Sequence, residues 1–290
     1  MLSGGLGNQM FQYAFARALQ EKGVNVAIDD RTWWLETGRD DFTGTRRDLG
    51  ISHFHIAVPK IDCYRTHWKR FFMCYQRNWL DSKITQYVRK KSSKSEGNYL
   101  YERGLDRISF DELLTTDKNY YFNSYFQNPT YFDDIKEILR KDFTLCESFE
   151  VPQHIKELLA NRSVIALHVR RGDYVRLGET LGGEYFEQAV RKIGDTLDNP
   201  AVFLFSDDLG WAGNLDIPYE TYPVNADRSL ADYEELMLMS YCHHFVISNS
   251  TFSWWAAWLS SNEGKIVIAP KTWFQDGTNG QIVPGDWITM

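Results

Sequence analysis

The sequence predicts an α/β fold made of two Rossmann-type domains, and three observations support this prediction. The chain has 290 residues, close to twice the usual domain unit of about 150 residues. A glycine-rich loop opens a helix at its start. The second half alternates short apolar strands with amphipathic helices, a pattern typical of a parallel, doubly wound sheet.

Composition and charge exclude several classes of protein. Hydrophobic residues make up 43% of the chain and aromatic residues 15%, so the chain is expected to fold around a sizeable core. The net charge of −7 disfavours binding to polyanions, and no nucleic-acid partner is expected. No basic leader or apolar span is recognisable, which predicts a cytoplasmic protein, with peripheral contact at the inner face of a membrane as its only membrane association.

The first half opens with residues 4–9, which form the glycine-rich loop and lead into a helical stripe of apolar residues that stops at Gly23. Met10 stands where a dinucleotide fingerprint has its third glycine, so that motif is excluded. Only three residues precede Gly4, so the strand that normally leads into such a loop is expected to be very short or absent. Residues 24–28 are predicted to form a strand and residues 131–143 a helix.

A linker at residues 147–152 separates an N-terminal domain, 1–150, from a C-terminal domain, 151–290. Four strands are predicted in the second domain, at residues 163–169, 201–205, 245–247 and 265–269. Helices are predicted at residues 185–197, 230–241 and 254–259. Ser229 and Asp232 are candidate N-caps of the second of these helices, and Ser253 is the candidate N-cap of the third. The basic run 89–94 in the first half is interpreted as a solvated loop, with contact to anionic lipid as the alternative.

Polar sequences follow three of the predicted strands, at residues 168–174, 206–208 and 248–255. Because the carboxyl ends of parallel strands lie at one edge of a sheet, these loops are expected to form one site. Strand periodicity places His168 and Arg170 on one face and Arg171 on the other. Arg170 is therefore favoured as the ligand of a doubly charged anion such as a pyrophosphate, while Arg171 holds the loop. In the alternative, both arginines pair with Asp173 and Asp207 as a structural network.

The third loop brings hydroxyl groups to a helix N-terminus, which is a favourable place for phosphate oxygens. The candidate ligands there are Ser250, Thr251, Phe252 and Ser253. The alternative is that the hydroxyl groups only cap the helix. Asp207 is a candidate for accepting hydrogen bonds from a guanine edge, or a turn cap. The sequence has no D-x-D pair, so no metal site is predicted, and the arginines and the helix N-terminus would stabilise a leaving diphosphate.

Five segments together resemble the α-1,2-fucosyltransferases of glycosyltransferase family eleven, and the resemblance covers essentially the whole chain. The segments are residues 4–14 (GGLGNQMFQYA), 125–132 (YFQ followed by YF), 168–174 (HVRRGDY), 248–255 (SNSTFSWW) and 270–287. The resemblance implies a GT-B architecture, in which two Rossmann-like domains face each other across a cleft. The C-terminal domain would bind the donor substrate GDP-fucose and the N-terminal domain the acceptor, with the last residues able to return to the N-terminal domain.

The implied reaction is metal-independent transfer of L-fucose, with inversion, to the 2-hydroxyl of a terminal galactose on a glycan. No cofactor is implied. The loop residues Gly5, Gly7, Asn8 and Gln9 would contact the donor or the acceptor, and the alternative for Asn8 is that it caps the helix. His168, Arg171, Asp173 and Asp207 would help to hold the nucleotide.

An inverting transfer also needs a group that accepts the proton of the acceptor hydroxyl. Glu179 is the candidate base, whereas Asp173 is expected to pair with an arginine and so to be a poor base. The departing diphosphate itself is the alternative proton acceptor.

Two other functions remain open at this point. A fucosyltransferase of another linkage would share the arginine signature. A non-catalytic glycan-binding protein is suggested by the ten tryptophans, whose rings could stack on sugars, although such a protein would not need the paired arginines.

Overall fold

The computed structural model describes residues 1–30, 48–61, 99–102, 109–122, 124–274 and 281–290. They form two compact units, Met1–Thr144 and Leu145–Met290. The predicted division is at residue 150. The basic run 89–94 lies outside the described residues, as do four of the tryptophans.

The first unit is built around its first helix. Its elements are α1 (Leu6–Glu21), a 3-10 turn (Gly50–His53), β1 (Tyr99–Glu102), α2 (Phe110–Thr115), β2 (Asn119–Phe122), 3-10 turns at Pro129–Tyr131 and Asp133–Ile135, and α3 (Lys136–Asp142). Strands β1 and β2 pair in parallel. The predicted first helix is confirmed. The predicted helix over 131–143 begins only at Lys136, because two short 3-10 turns precede it.

Aromatic side chains fix α1 within this unit. The ring of Phe15 stacks on that of Phe126 with centroids 3.9 Å apart, and it meets Phe110 and Tyr131 edge-on. Met10 on the same helix is fully buried. The apolar stripe of α1 therefore packs against residues 110–131, more than ninety positions along the chain.

The strand predicted over residues 24–28 does not form as a ladder. Among the residues that the structure describes, only Ile28 of this segment makes a bridge, to Lys60, and the Leu2 N–H donates to the Asp29 carbonyl at 2.8 Å. Asn25 and Ala27 are exposed, so only part of this segment is buried. The short chain before Gly4 thus contacts the end of the 24–29 segment through a backbone hydrogen bond between Leu2 and Asp29.

The second unit is an α/β domain with one sheet. Its elements are α4 (Gln153–Asn161), β3 (Ser163–Val169), α5 (Gly172–Leu177), α6 (Gly183–Gly194), β4 (Pro200–Ser206), α7 (Leu209–Ala212), β5 (Glu220–Pro223), α8 (Asp232–Ser240), β6 (His244–Val246), α9 (Thr251–Leu259), β7 (Val267–Ala269) and β8 (Ile288–Thr289).

The six strands run parallel in the order β5-β4-β3-β6-β7-β8, which confirms the predicted α/β class and the doubly wound sheet. This is the Rossmann strand order, in which the direction of winding changes between β3 and β6. Strand β8 lies next to β7, so Ile288 and Thr289 belong to this sheet.

The two predicted helix caps also differ from those observed. Ser250, and not Ser253, is the N-cap residue of α9. Ala231 precedes α8, and its N–H donates to the Glu234 carboxylate at 2.8 Å, so neither Ser229 nor Asp232 caps that helix.

The core of the second unit lies between the sheet and α6. Fully buried apolar residues of β3 and β4 contact Phe186 and Val190 on α6. Helix α9 is also buried along most of its length, and the Trp254 indole N–H donates to the Ile282 carbonyl at 2.7 Å. The core thus holds the carboxyl ends of β3, β4 and β6 at one edge.

Candidate functional site

The loops after β3 and β6 meet at the switch point of the sheet, as predicted. The Ser248 hydroxyl accepts a hydrogen bond from the Arg170 N–H at 3.0 Å and donates to the His168 carbonyl at 2.8 Å. One buried serine therefore fixes the arginine loop against the start of the loop that leads into α9.

Arg170 is held by two carboxylates. Its Nη2 lies 2.6 Å from Asp173 Oδ1, and its Nη1 lies 3.0 Å from Asp207 Oδ2. The guanidinium also lies 5.5 Å from the centre of the Tyr174 ring. The side chain keeps 23% of its surface exposed. The structural network considered as an alternative is thus present for Arg170, and it leaves an oriented cation that is still accessible.

Arg171 points elsewhere, as strand periodicity predicts. Its Nε donates to Asp208 Oδ2 at 3.1 Å, and its guanidinium lies 4.1 Å from the centre of the Trp211 ring. Its backbone N–H donates to Asp207 Oδ1 at 2.8 Å. These contacts assign Arg171 to holding the loop. Contact of Arg171 with the nucleotide stays a prediction.

Asp207 has both carboxylate oxygens engaged with the arginine loop, one with the Arg170 side chain and one with the Arg171 N–H. Its first role is therefore to position that loop, and recognition of guanine by Asp207 stays a prediction. Asp173 has little exposed surface and supports Arg170, as expected.

Gly172 is a site residue that sequence reasoning missed. A Cβ atom at this position would lie 2.5 Å from Asp207 Oδ2, which is closer than Cβ contacts are found. The absence of a side chain therefore lets Asp207 approach the arginine loop. The only signal in the sequence was its place between Arg171 and Asp173.

Two buried polar atoms at this edge have no partner among the described residues: Nδ1 of His168 and Oδ1 of Asn249. Burial, together with the positive charge of Arg170, lowers the pKa of the His168 imidazole to about 3, so the ring is neutral at pH 7. The Asn249 amide nitrogen donates to the carbonyls of Glu179 and Trp273 at 3.1 and 3.2 Å. Unpaired buried polar groups are costly, and both atoms are suited to a ligand's hydrogen-bond donors.

The first turn of α9 receives no side-chain hydrogen bond from its N-cap, Ser250. Ser253 is fully buried and its hydroxyl donates to the Ser250 carbonyl at 3.3 Å, so it serves the helix itself. Thr251 is half-buried, as is Phe252, whose ring centre lies 5.7 Å from that of His168. Because the first N–H groups of a helix have no partner within the helix itself, this turn is suited to an anion.

Glu179 follows α5 and is tied to the site through its backbone. Its N–H donates to the Tyr174 carbonyl at 3.0 Å, and its carbonyl accepts from Asn249. Its side chain is partly exposed and makes no hydrogen bond with the described residues.

The glycine loop lies in the first unit and has a largely structural arrangement. Gln9 is fully buried; its amide nitrogen donates to the carbonyls of Gly4 and Asp48, both at 3.0 Å, and its oxygen accepts from the Ile51 N–H. The expected ligand contact of Gln9 is therefore replaced by a role in holding the loop. Gly5 is the N-cap of α1, and Gly7 is buried within the helix.

Asn8 is the third residue of α1 and does not cap it, so the alternative considered for Asn8 is wrong. Its Oδ1 accepts from Gln127 Nε2 at 2.8 Å, which joins the first and second resembling segments. Gly4 has a φ of +76°, and a Cβ there would lie 2.8 Å from Asn8 Nδ2. Glycine at position 4 therefore leaves room for the Asn8 amide.

Five of the ten tryptophans are buried in the second unit, namely Trp254, Trp255, Trp258, Trp273 and Trp287. They are unavailable as stacking platforms, which removes much of the support for a glycan-binding protein without catalysis. Within the described ranges, no cluster of metal-ligating side chains is found. No described helix is both long and apolar enough to span a membrane.

Comparison with known proteins gives a consistent result. Residues 88–289 match the sequence profile of glycosyl transferase family 11. The O-antigen biosynthesis glycosyltransferase WbnK of Escherichia coli is 31% identical, over 100% of this chain and 99% of that protein. An alpha-1,2-colitosyltransferase of Escherichia coli is 28% identical, over 94% and 91%. Galactoside 2-alpha-L-fucosyltransferase Sec1 of Mus musculus is 26% identical, over 49% and 42%.

Among solved structures, fucosyltransferase NodZ from Bradyrhizobium is similar with a TM-score of 0.44 and 14% identity, over 88% of this chain and 89% of that one.

Proposed function

Because the chain belongs to glycosyl transferase family 11 and is therefore a glycosyltransferase, we propose that it transfers L-fucose from GDP-fucose to the 2-hydroxyl of a terminal galactose on a glycan. The transfer inverts the anomeric carbon and needs neither a cofactor nor a metal ion. The α-1,2 relatives support the position of the new bond.

The observation that carries this proposal is the meeting of Arg170 and the first turn of α9 at the switch point of the sheet. A guanidinium held by two carboxylates and a helix N-terminus without a side-chain cap are both suited to a diphosphate. As the bond to fucose breaks, negative charge grows on the β-phosphate. Arg170 would stabilise that charge without having to reorient.

The acceptor hydroxyl must lose its proton as the new bond forms. In our proposal the Glu179 carboxylate accepts this proton. It makes no hydrogen bond with the described residues, and the Glu179 carbonyl is bonded to Asn249 at the site. Asp173 is unsuited, because its Oδ1 is occupied by Arg170 Nη2 at 2.6 Å and its side chain has little exposed surface. If Glu179 proves dispensable, the departing diphosphate is the remaining candidate for accepting the proton.

Asn8 is proposed as a substrate contact in the first unit. Gln127 occupies its carbonyl oxygen, and the amide nitrogen lies above Gly4. An amide donor in this position is suited to a hydroxyl or a phosphate oxygen. Gly5, next to Gly4, would contact the same ligand through its backbone.

A second donor is favoured by the relatives. The alpha-1,2-colitosyltransferase matches almost the whole chain, whereas the galactoside fucosyltransferase matches about half of it. L-Colitose differs from L-fucose only in lacking the 3-hydroxyl, so GDP-colitose carries the same nucleotide and anomeric centre. A site that hydrogen-bonds the 3-hydroxyl would discriminate against colitose, because its polar group would be left unpaired.

The experiment offers GDP-fucose and GDP-colitose separately to the protein with a β-galactoside acceptor, and identifies the product linkage by NMR. A 1→2 linked fucosyl product supports the proposal. If only a colitosyl product forms, the donor is GDP-colitose and not GDP-fucose. A product with another linkage overturns the assignment of the 2-hydroxyl. Thermal unfolding with and without GDP is the companion measurement, since a protein that binds only glycans gains no stability from the nucleotide.

A further inference from the structure

The loop between β5 and α8, residues 224–231, lies at the same edge of the sheet as the arginine loop. It begins where the Val224 N–H donates to the Leu204 carbonyl at 2.9 Å. Further along, Arg228 Nη2 donates to the Asp207 carbonyl at 3.2 Å. Because the Asp207 carboxylate holds both Arg170 and Arg171, Arg228 reaches the immediate surroundings of these arginines.

The shape of this loop is fixed by Asn225. Its Oδ1 accepts from the Leu230 N–H at 2.8 Å, and its Nδ2 donates to the Leu230 carbonyl and to the half-buried Glu235 carboxylate. Arg228 has a φ of +57°, in the left-handed region that arginine rarely adopts. Such a conformation costs free energy and persists only where the surrounding contacts impose it.

If Arg228 is left out, the charges at this edge of the sheet do not favour the binding of an anion. Arg170 is paired with Asp173 and Asp207, and Arg171 with Asp208. Three carboxylates thus surround two guanidinium groups, which leaves an excess of negative charge where a diphosphate would have to bind. Arg228 is exposed and makes no salt bridge with the described residues.

We propose that Arg228 is a third arginine of the nucleotide site and binds the diphosphate of the donor. The inference rests on the proposed function. One nitrogen of the guanidinium anchors the side chain on the Asp207 carbonyl, and its remaining N–H groups, which bond to none of the described residues, can bind phosphate oxygens. The imposed backbone conformation of the loop keeps the cation in place before the donor arrives.

The test compares the binding of GDP and of guanosine by calorimetry in the full-length protein. The variant Arg228→Asn removes the cation but keeps a residue type that tolerates the left-handed conformation. Arg228→Lys keeps the charge and loses the planar fork. Arg191→Asn is the matched control, because Arg191 is an exposed arginine near the end of α6 that pairs with Asp216.

The expected result is that Arg228→Asn weakens GDP binding about tenfold or more, with guanosine binding unchanged. Arg228→Lys should give an intermediate loss, and Arg191→Asn none. Unchanged GDP affinity in Arg228→Asn would overturn the inference, since the arginine then only anchors its loop. An equal loss for guanosine and GDP would also overturn it. If the wild-type protein does not bind GDP, the proposed function fails and the inference fails with it.

Discussion

At the scale of single residues, the site depends on how closely Asp207 can approach the arginine loop. Its carboxylate joins the Arg170 side chain to the Arg171 backbone, and this contact exists because Gly172 has no side chain. A methyl group at position 172 would displace the Asp207 carboxylate, which orients Arg170, the residue proposed to bind the diphosphate.

We therefore expect Gly172→Ala to weaken GDP binding about tenfold, through loss of a charge-assisted contact in the site, although alanine favours the helix that starts there. Calorimetry with GDP measures the effect. Gly182→Ala is the control, since a Cβ at that position meets no atom within 4 Å. Unchanged affinity in Gly172→Ala would mean that Asp207 can move without consequence.

For Arg170 itself, replacement by lysine keeps the charge but loses the two-pronged geometry that engages Asp173 and Asp207. We expect Arg170→Lys and Arg170→Ala both to lower kcat about a hundredfold or more, by removing stabilisation of the leaving diphosphate. Initial rates with saturating donor measure this, with thermal unfolding of each variant as the check on folding. Near-normal turnover in both variants would show that the role belongs to another group.

For Glu179, the informative measurement is the dependence of kcat/KM on pH. If its carboxylate accepts the proton, Glu179→Gln should lower the rate about a hundredfold and remove the fall in rate at acid pH. Normal turnover with an unchanged acid limb would eliminate Glu179 and favour the diphosphate as the proton acceptor.

Sequence reasoning predicted the faces of Arg170 and Arg171 because alternation along a strand is local. It did not predict the role of Gln9, whose partners Asp48 and Ile51 lie 39 and 42 positions away and carry no pattern that links them to it. Gly172 was missed for a similar reason, since its contact is with Asp207, 35 positions along the chain in the loop that follows β4.

At the scale of elements, long buried strands were predictable and short edge strands were not. Strand β3 was predicted with its observed bounds because six of its seven residues are buried and five of these six are apolar. Strand β5 was missed because it is a partly exposed edge segment that ends in Pro223, and β8 because it has only two exposed residues. The loop that carries Arg228 follows β5, so it too was missed.

The β5–α8 loop gives a prediction that depends on pH. Burial raises the pKa of the Glu235 carboxyl, against the smaller effect of its bond with Asn225. The unfolded chain therefore loses this proton near pH 4.5, whereas the folded protein keeps it to higher pH. As the pH rises above 4.5, the presence of Glu235 increasingly lowers the free energy of unfolding. Glu235→Gln keeps an acceptor for Asn225 and removes the charge.

We expect the gain in unfolding free energy of Glu235→Gln over wild type to be small at pH 4.5 and to grow toward pH 7. Urea unfolding at the two pH values measures it, and the exposed Glu184→Gln variant controls for a general effect of net charge. A difference that is constant with pH, or that shrinks as the pH rises, would contradict the raised pKa.

At the scale of the whole molecule, the chain carries a net charge of −7 and yet is proposed to bind an anionic donor. The positive potential must therefore be local. In our proposal it comes, at one edge of the second unit, from Arg228, which offsets the excess of carboxylates, together with the oriented Arg170 and the first turn of α9.

This local arrangement leads to the last prediction, which concerns metal ions. A divalent cation in a nucleotide-sugar transferase neutralises the leaving diphosphate and is usually held by a D-x-D pair, and this sequence has no such pair. Aspartates 173, 207 and 208, which could otherwise serve as ligands, are each within 3.1 Å of an arginine nitrogen. A cation would have to break these ion pairs in order to bind, and the arginines already supply its charge.

We therefore expect EDTA to leave the initial rate of transfer unchanged, and added Mg²⁺ or Mn²⁺ to raise it by less than about twofold. A twofold change in rate corresponds to an activation free energy much smaller than the loss of one charge-assisted contact in the site would give. The assay uses enzyme dialysed against chelator, with donor and acceptor held at saturation. Loss of activity on chelation, with recovery on addition of one particular metal, would show that the arginines alone do not stabilise the leaving group. Arg170→Ala gives the complementary measurement: if its activity is rescued by Mg²⁺, the freed Asp173 and Asp207 have become ligands, and the ion pairs are what exclude the metal from the native site.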